Sequence, residues 1–138
     1  MKLSFIEIDV NKPKPKATIH VTGKLGFNME AIQFMKLDRQ NSYLMAADEE
    51  RADVFYLVET KDPNGAAKVA KAGDYYYLNV GDAFDKLKYD YKRYTLIFEI
   101  AEDTYEGDKL FVFTKYREIK RKDKSKVINN DDENLTEQ

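Results

Sequence analysis

Several residue types that carry common chemistry are absent or scarce in this chain. Its 138 residues include no cysteine, no tryptophan and one histidine, with six glycines and three prolines. Without cysteine there can be no disulfide, thiolate nucleophile, cysteine-ligated zinc or iron–sulfur cluster. The lone His20 cannot form the histidine cluster of a transition-metal site. No cofactor is therefore expected.

Long apolar runs are also absent. A membrane-spanning helix needs roughly 20 consecutive apolar residues, and no stretch of the sequence approaches that length. The first seven residues do not have the basic and then apolar order of a signal peptide. The expectation is a cytoplasmic protein with no membrane partner.

The composition is typical of one folded domain. The length is close to the commonest domain size, and charged residues make up 35% and hydrophobic residues 43% of the chain, with a net charge of -2. We expect a single α+β domain over residues 1–122. Apolar periodicity ends near Asp123, so residues 123–138 are expected to be a disordered acidic tail.

Hydrophobic alternation predicts most of the strands. Apolar and polar residues alternate over residues 6–10 and again over residues 19–21. Residues 54–58 and 110–113 are apolar on both faces and are therefore expected to be central strands. Turn residues at 62–65 and 106–108 separate strand signals. These patterns predict a mostly antiparallel sheet, which could form a partly closed barrel, with two short helices.

The sequence contains an internal repeat that links the two halves of the chain. Residues 22–46 and 72–100 each contain a glycine, a short strand, an asparagine, a short helix and a second strand, about 52 residues apart. Asn28 and Asn79 are expected to be the helix N-caps, since asparagine accepts hydrogen bonds from the first helical N–H groups. Two copies indicate a duplicated half-domain packed about a pseudo-twofold axis.

The motifs of common enzymes are missing. There is no phosphate-binding loop and no serine elbow. Asp48, Glu49 and Asp53 concentrate carboxylates, and a metal-dependent hydrolase stays open as a third class of function. This cluster lacks the alternation and glycine of a calcium loop, and a solvated turn is the simpler interpretation. The expectation is a protein that is not an enzyme.

Aromatic and basic residues suggest a binding function. The chain has ten tyrosines and eight phenylalanines, and residues 75–77 are all tyrosine. Neighbouring residues of a strand point to opposite faces, so one or two of these rings must lie on the outer face. Exposed rings beside Lys or Arg suit single-stranded nucleic acid, because rings stack on bases while cations contact phosphates. The predicted site residues are Tyr76, Tyr91, Lys92, Arg93, Lys120, Arg121 and Lys122.

Two observations weigh against that hypothesis. Tyrosine is a good strand former that can cover a core with its hydroxyl in water. The sequence pI is about 5.5, whereas nucleic-acid-binding domains are usually basic. The second objection is weakened by segregation of charge, since residues 115–126 have a net charge of +5 and residues 127–138 a net charge of −4.

Each glycine–strand–asparagine–helix–strand unit resembles the half-unit of swapped-hairpin transcription factors of the AbrB type. That resemblance implies DNA binding by a homodimer of basic hairpins. The basic and then acidic order of residues 115–138 is similar to the tails of bacterial and phage single-strand-binding proteins. Such a tail implies competition with nucleic acid and recruitment of a protein partner. The whole chain also looks like small proteins of bacterial phages and mobile elements, a likeness that implies no function.

The favoured hypothesis is a non-enzymatic accessory or regulatory protein that binds nucleic acid, preferably single-stranded. The alternative is a structural or protein-interaction module, such as an assembly or capsid-associated component, that uses an exposed sheet edge and does not bind nucleic acid.

Overall fold

The computed structural model of the protein describes residues 1–8 and 13–122, so the predicted acidic tail lies outside the described residues. Within this part the helices are α1 (Met29–Met35) and α2 (Gly81–Lys86), and a 3-10 turn covers Leu37–Arg39. The strands are β1 (Lys16–Ile19), β2 (Lys24–Phe27), β3 (Ser42–Ala47), β4 (Val54–Thr60), β5 (Ala67–Lys68), β6 (Ala70–Ala72), β7 (Tyr75–Asn79), β8 (Tyr94–Tyr105) and β9 (Asp108–Lys120).

The strands form one antiparallel sheet in the order β5-β3-β4-β9-β8-β1-β2-β7-β6. Only Val69 separates β5 from β6, so a single segment supplies both ends of the sheet. The sheet therefore curls into a nearly closed barrel. This confirms the prediction of an α+β fold with a mostly antiparallel, partly closed sheet and two short helices.

The connectivity repeats in the two halves of the chain. Exchanging β1 with the β5–β6 segment, β2 with β7, β3 with β8 and β4 with β9 leaves the order of strands around the barrel unchanged. Helices α1 and α2 occupy equivalent places in the two halves, each after the second strand of its unit. The strand order thus has the pseudo-twofold pattern that the internal repeat predicts.

An aromatic cluster centred on Phe55 fills the barrel. Its ring stacks on Phe113 of the neighbouring strand, with centroids 4.6 Å apart and planes inclined by 11°. The ring of Phe98 meets it edge-on at 5.0 Å, and α2 contributes Phe84 at 5.4 Å. Such geometry is favourable beyond the area buried. The two runs that are apolar on both faces are indeed paired central strands, β4 and β9.

One of the two predicted helix caps is present. The Asn28 side-chain oxygen accepts from the backbone N–H of Ala31 at 2.8 Å and of Lys16 at 3.0 Å, so it caps α1 and anchors β1. The prediction for Asn79 is wrong. Asn79 belongs to β7, where it still pairs with Lys24 of β2, and Val80 is the N-cap of α2 without a side-chain hydrogen bond. The sheet pairing thus includes the position where the sequence pattern places the cap, and the helix cap falls one residue later.

The N-terminal strand prediction is also wrong for the residues described. Residues 6–8 form no strand, and Ile6 and Ile8 are 85% and 81% exposed. Pro13 and Pro15 lie between this segment and β1, and proline lacks the N–H that a ladder requires. Alternation of apolar and polar residues therefore does not by itself predict a strand, because a strand also needs a partner to pair with. Strand β1 itself starts at Lys16, directly after Pro15.

The Phe55 cluster gives a stability prediction. Phe55→Ala should lower the free energy of unfolding by about 3–5 kcal/mol, because it removes a fully buried ring and leaves a cavity among rings that cannot fill it. Urea denaturation measures the change. The control is Phe5→Ala, whose ring is 91% exposed and whose loss should cost less than about 0.5 kcal/mol. Similar losses for both variants would contradict the assignment of Phe55 to the core.

Candidate nucleic-acid interface

Strand alternation decides which tyrosines of residues 75–77 face water. Leu78 is fully buried, so it points to the inner side of the sheet, and Tyr76 shares that side because it lies two residues away. Tyr75 and Tyr77 therefore lie on the outer face, where Tyr77 pairs with Gly26. Tyr75 is 38% exposed there. Its ring lies 6.1 Å from that of Tyr77, with the planes inclined by 22°. Two neighbouring aromatic rings are thus held nearly parallel on the outside of the barrel.

Tyr76 is on the opposite side from the one its predicted role needs. It is half-buried and packs against the core, with the Lys71 ammonium 5.7 Å from its ring centroid. The choice of Tyr76 as a stacking residue is therefore corrected in favour of its two neighbours. The sequence held a signal for this, because Leu78 is the apolar residue of the strand and shares its face with Tyr76.

A third outer-face tyrosine comes from an irregularity in the β8–β9 ladder. Ile97 pairs with Arg117 whereas Phe98 pairs with Lys115, so Tyr116 is an extra residue at a bulge. A bulge of this kind can redirect a side chain. Tyr116 is 43% exposed, and together with Ile97 it lines a hollow on the outer face. Sequence periodicity could not locate Tyr116, since the bulge breaks the alternation.

Cations lie directly against two of these rings. The Lys24 ammonium is 4.7 Å from the centroid of Tyr77, and that of Lys16 is 4.8 Å from the centroid of Tyr116. Such contacts between a cation and an aromatic face are attractive. The outer tyrosines, Tyr75, Tyr77 and Tyr116, together with Lys16 and Lys24, are called the tyrosine face below.

A small hollow separates Tyr75 from Tyr116. It has a volume of about 330 Å³ and is lined by residues of β1, β2, β7, β8 and β9, among them Thr18, Gly26 and Ile97. The hydroxyl of Tyr75 lies 2.7 Å from Nε2 of His20, and the hydrogen bond between them forms one wall of the hollow. Gly26 permits this arrangement, because a Cβ there would lie 1.8 Å from the Tyr75 hydroxyl.

Three of the predicted basic residues line a second, larger concavity. Lys92, Arg121 and Lys122 surround a space of about 560 Å³ together with Val21 and Thr95. No acidic side chain of the described residues lines it. Arg121 is half-buried, and its guanidinium donates to the carbonyl oxygens of Tyr91 at 3.0 Å and Ile19 at 3.3 Å. This basic concavity therefore has one cation held by hydrogen bonds, together with two exposed lysines.

The hollow and the basic concavity adjoin one another. Thr95 lines the concavity and Ile97 lines the hollow, and residues two apart on a strand share a face at a separation of about 7 Å. Arg121 of the concavity also affects the ionisation of His20, which lines the hollow. Partial burial lowers the pKa of His20 below its ordinary value, and the positive charge of Arg121 lowers the pKa further. The tyrosine face and the basic concavity thus form one continuous surface.

The remaining predicted site residues have other roles or stand apart. Tyr91 is only 5% exposed and donates from its hydroxyl to Asp85 at 2.8 Å, so its ring cannot stack on a base in this structure. Arg93 is exposed but donates to Asp90 at 2.6 Å. Lys120 is exposed at the end of β9, opposite Tyr94. Tyr91 is a core residue, because the aromatic cluster extends to it through Phe84.

The carboxylates near Asp48 form a turn. Asp48 accepts from the N–H groups of Glu50 at 2.9 Å and Arg51 at 3.2 Å, and from the hydroxyl of Tyr56. These hydrogen bonds and the charge of Arg51 hold the pKa of Asp48 below its usual value. Across residues 1–8 and 13–122, no group of three His, Cys, Asp or Glu side chains is arranged to hold a metal ion.

The environment of His20 gives a pH prediction. Because its pKa is lower in the folded protein than its ordinary value of 6.5, the unfolded chain takes up a proton at a higher pH than the folded one. Stability that is fully present above about pH 6.5 is then lost as the pH falls through the folded pKa. Urea midpoints for the native protein and His20→Gln at pH values between about 7.5 and 5 measure this difference. A difference between the two proteins that stays constant with pH would contradict it.

No helix in the described part of the chain is long and apolar enough to span a bilayer. Comparison with family models, with curated proteins and with solved structures finds no match to this chain.

Proposed function

We propose that the protein is a non-enzymatic accessory protein that binds single-stranded nucleic acid across the tyrosine face and the adjoining basic concavity. The observation that carries this proposal is that three outward tyrosines share one face of the barrel, with cations against two of their rings and a basic concavity beside them. On such a surface, rings stack on bases and cations contact phosphates.

The arrangement favours a single strand over a duplex. Bases in a duplex are stacked on one another, so their faces cannot reach the rings of Tyr75 and Tyr77. The described residues of the tyrosine face lie on paired strands of the sheet and not on a projecting helix that could enter a major groove. Stacking on tyrosine is tolerant of sequence, because every base has an aromatic face. We therefore propose binding with little sequence preference.

Several further features of the proposal come from the sequence alone. We place the protein in the cytoplasm, where its nucleic-acid ligand would be found, and keep the homodimer and the AbrB-type resemblance as predictions. The acidic tail would compete with nucleic acid for the basic concavity, since opposite charges that close in sequence attract one another. A protein partner of that tail is part of the same proposal.

A second candidate is a protein-interaction module, and one observation favours it. Residues 1–8 carry large apolar side chains in water, with Leu3 70% and Phe5 91% exposed. Exposed apolar patches often mark interaction sites. A native protein that fails to bind oligonucleotide at low salt, yet associates with another protein through these residues, would favour this candidate over the first.

The stacking residues give the first binding prediction. Tyr77→Ala and Tyr75→Ala should each weaken binding of a fluorescent oligothymidylate by about 1–3 kcal/mol, the contribution of one stacked base. Fluorescence anisotropy at low salt measures the dissociation constants. The matched control is Tyr105→Ala, a tyrosine 56% exposed at the far end of β8, which should bind like the native protein. Equal binding by all four proteins would overturn the role of the tyrosine face.

The basic concavity gives the second. Lys92→Ala and Lys122→Ala should each make the slope of log K against log[salt] shallower by about 0.7, since each removes one phosphate contact to a single strand. Lys61→Ala changes an exposed lysine of the β4–β5 turn and is the control for charge alone. If Lys61→Ala flattens the slope as much as the other two, the concavity has no special role and binding reflects net charge.

A further inference from the structure

The hollow between Tyr75 and Tyr116 is a separate feature of the tyrosine face. We infer that it is a slot for one unpaired nucleobase, an inference that rests on the proposed function. Its volume of about 330 Å³ is at the small end of ligand pockets, which suits a single planar ring better than a larger ligand.

The position of one wall of the slot depends on a side chain that is missing from the sheet. In the row of paired residues Tyr77, Gly26, Thr18 and Ile97, only Gly26 has no side chain to project outward. The Tyr75 hydroxyl and the His20 ring extend over this glycine, where a Cβ would lie 1.8 Å and 2.6 Å from them. Gly26 thus sets the position of the wall that Tyr75 and His20 form.

The walls supply the two kinds of contact that a base needs. Tyr75 and Tyr116 are aromatic and exposed, so either ring could stack on the face of a base. Thr18 carries a hydroxyl that could bond to a base edge, whereas Nε2 of His20 already bonds to Tyr75. Asn28 also lines the hollow but is not free for this, because its side chain already bonds to Lys16, Ala31 and the carbonyl of Lys14.

Cations near the slot could contact the phosphates of the nucleic-acid strand whose base is bound. The Lys16 ammonium is at the rim, against Tyr116, and the basic concavity begins about 7 Å away along β8. A base in the slot would therefore have cations on two sides for its neighbouring phosphates. A paired base could not enter the slot, because its faces are covered by the neighbouring base pairs and its edge by its partner base.

The direct test is Gly26→Ala, which retains every aromatic and every charged group. The added methyl must displace Tyr75 and His20 from the slot. Oligothymidylate affinity should fall about tenfold, the loss of one stacked base, while the salt slope stays the same because no phosphate contact is removed. The control is Gly73→Asn in the turn between β6 and β7, at a position where an added Cβ contacts nothing. It should bind like the native protein.

The outcomes separate the slot from the wider proposal. If the native protein does not bind the oligonucleotide at all, the proposed function fails. If the native protein binds and Gly26→Ala, folded by its circular dichroism, binds equally well, only the slot is refuted.

A measurement on the native protein keeps the test independent of how well the variant folds. Amide signals of Thr18 and Gly26 should shift in nuclear magnetic resonance spectra on addition of a short oligothymidylate, but not on addition of an abasic deoxyribose phosphate chain of the same length. The side-chain signal of Arg121 should shift with both ligands. Saturation with oligothymidylate that leaves Thr18 and Gly26 unmoved would refute the slot.

Discussion

Closure of the sheet around the Phe55 cluster is the constraint on which the candidate site depends. The barrel interior has room for one residue of each neighbouring pair along a strand, so every side chain buried there sends its neighbours outward. In β7 the buried Leu78 selects Tyr76 for the inner side and leaves Tyr75 and Tyr77 in water. The aromatic face is therefore a consequence of how the core is filled. A one-residue change of register would bury the rings that the proposal needs.

The duplicated connectivity has produced two halves with different surfaces. The strands β2 and β7 are equivalent in the pseudo-twofold pattern and pair with each other, yet β2 presents Lys24 and Gly26 where β7 presents tyrosines. The tyrosine face is thus built at the junction of the halves, with aromatic rings from one and the cation and the gap from the other. In an exactly symmetric barrel this junction would have two identical sides. The asymmetry is what allows a ring of one half to lie over a glycine of the other.

Much of the fold could be predicted from the sequence, because alternation and two-sided apolar runs report directly on burial. This applies to β4, β9 and the α1 cap at Asn28, which are all local signals. The site was harder to predict. Charge alone indicates Lys92, Arg121 and Lys122, which line the basic concavity. Polar residues surround Tyr91 in the sequence and suggest an exposed ring, whereas the fold turns Tyr91 inward onto Phe84. Tyr116 depends on a bulge, and the hollow depends on pairing across five strands, so neither has a local signature.

The acidic overall charge does not oppose an anionic ligand, because of where the acids lie. Strand β8 spans 12 residues, roughly 36 Å from end to end. One end of the β8–β9 hairpin carries the basic concavity, and exposed acids lie at the other, namely Glu102, Asp103, Glu106 and Asp108. Exposed charges are screened over about 8–10 Å at physiological salt. The hairpin tip is several such lengths from Arg121, so it contributes little to the potential there. An anion that approaches the basic concavity therefore meets Lys92, Arg121 and Lys122 at closer range than the acids of the hairpin tip.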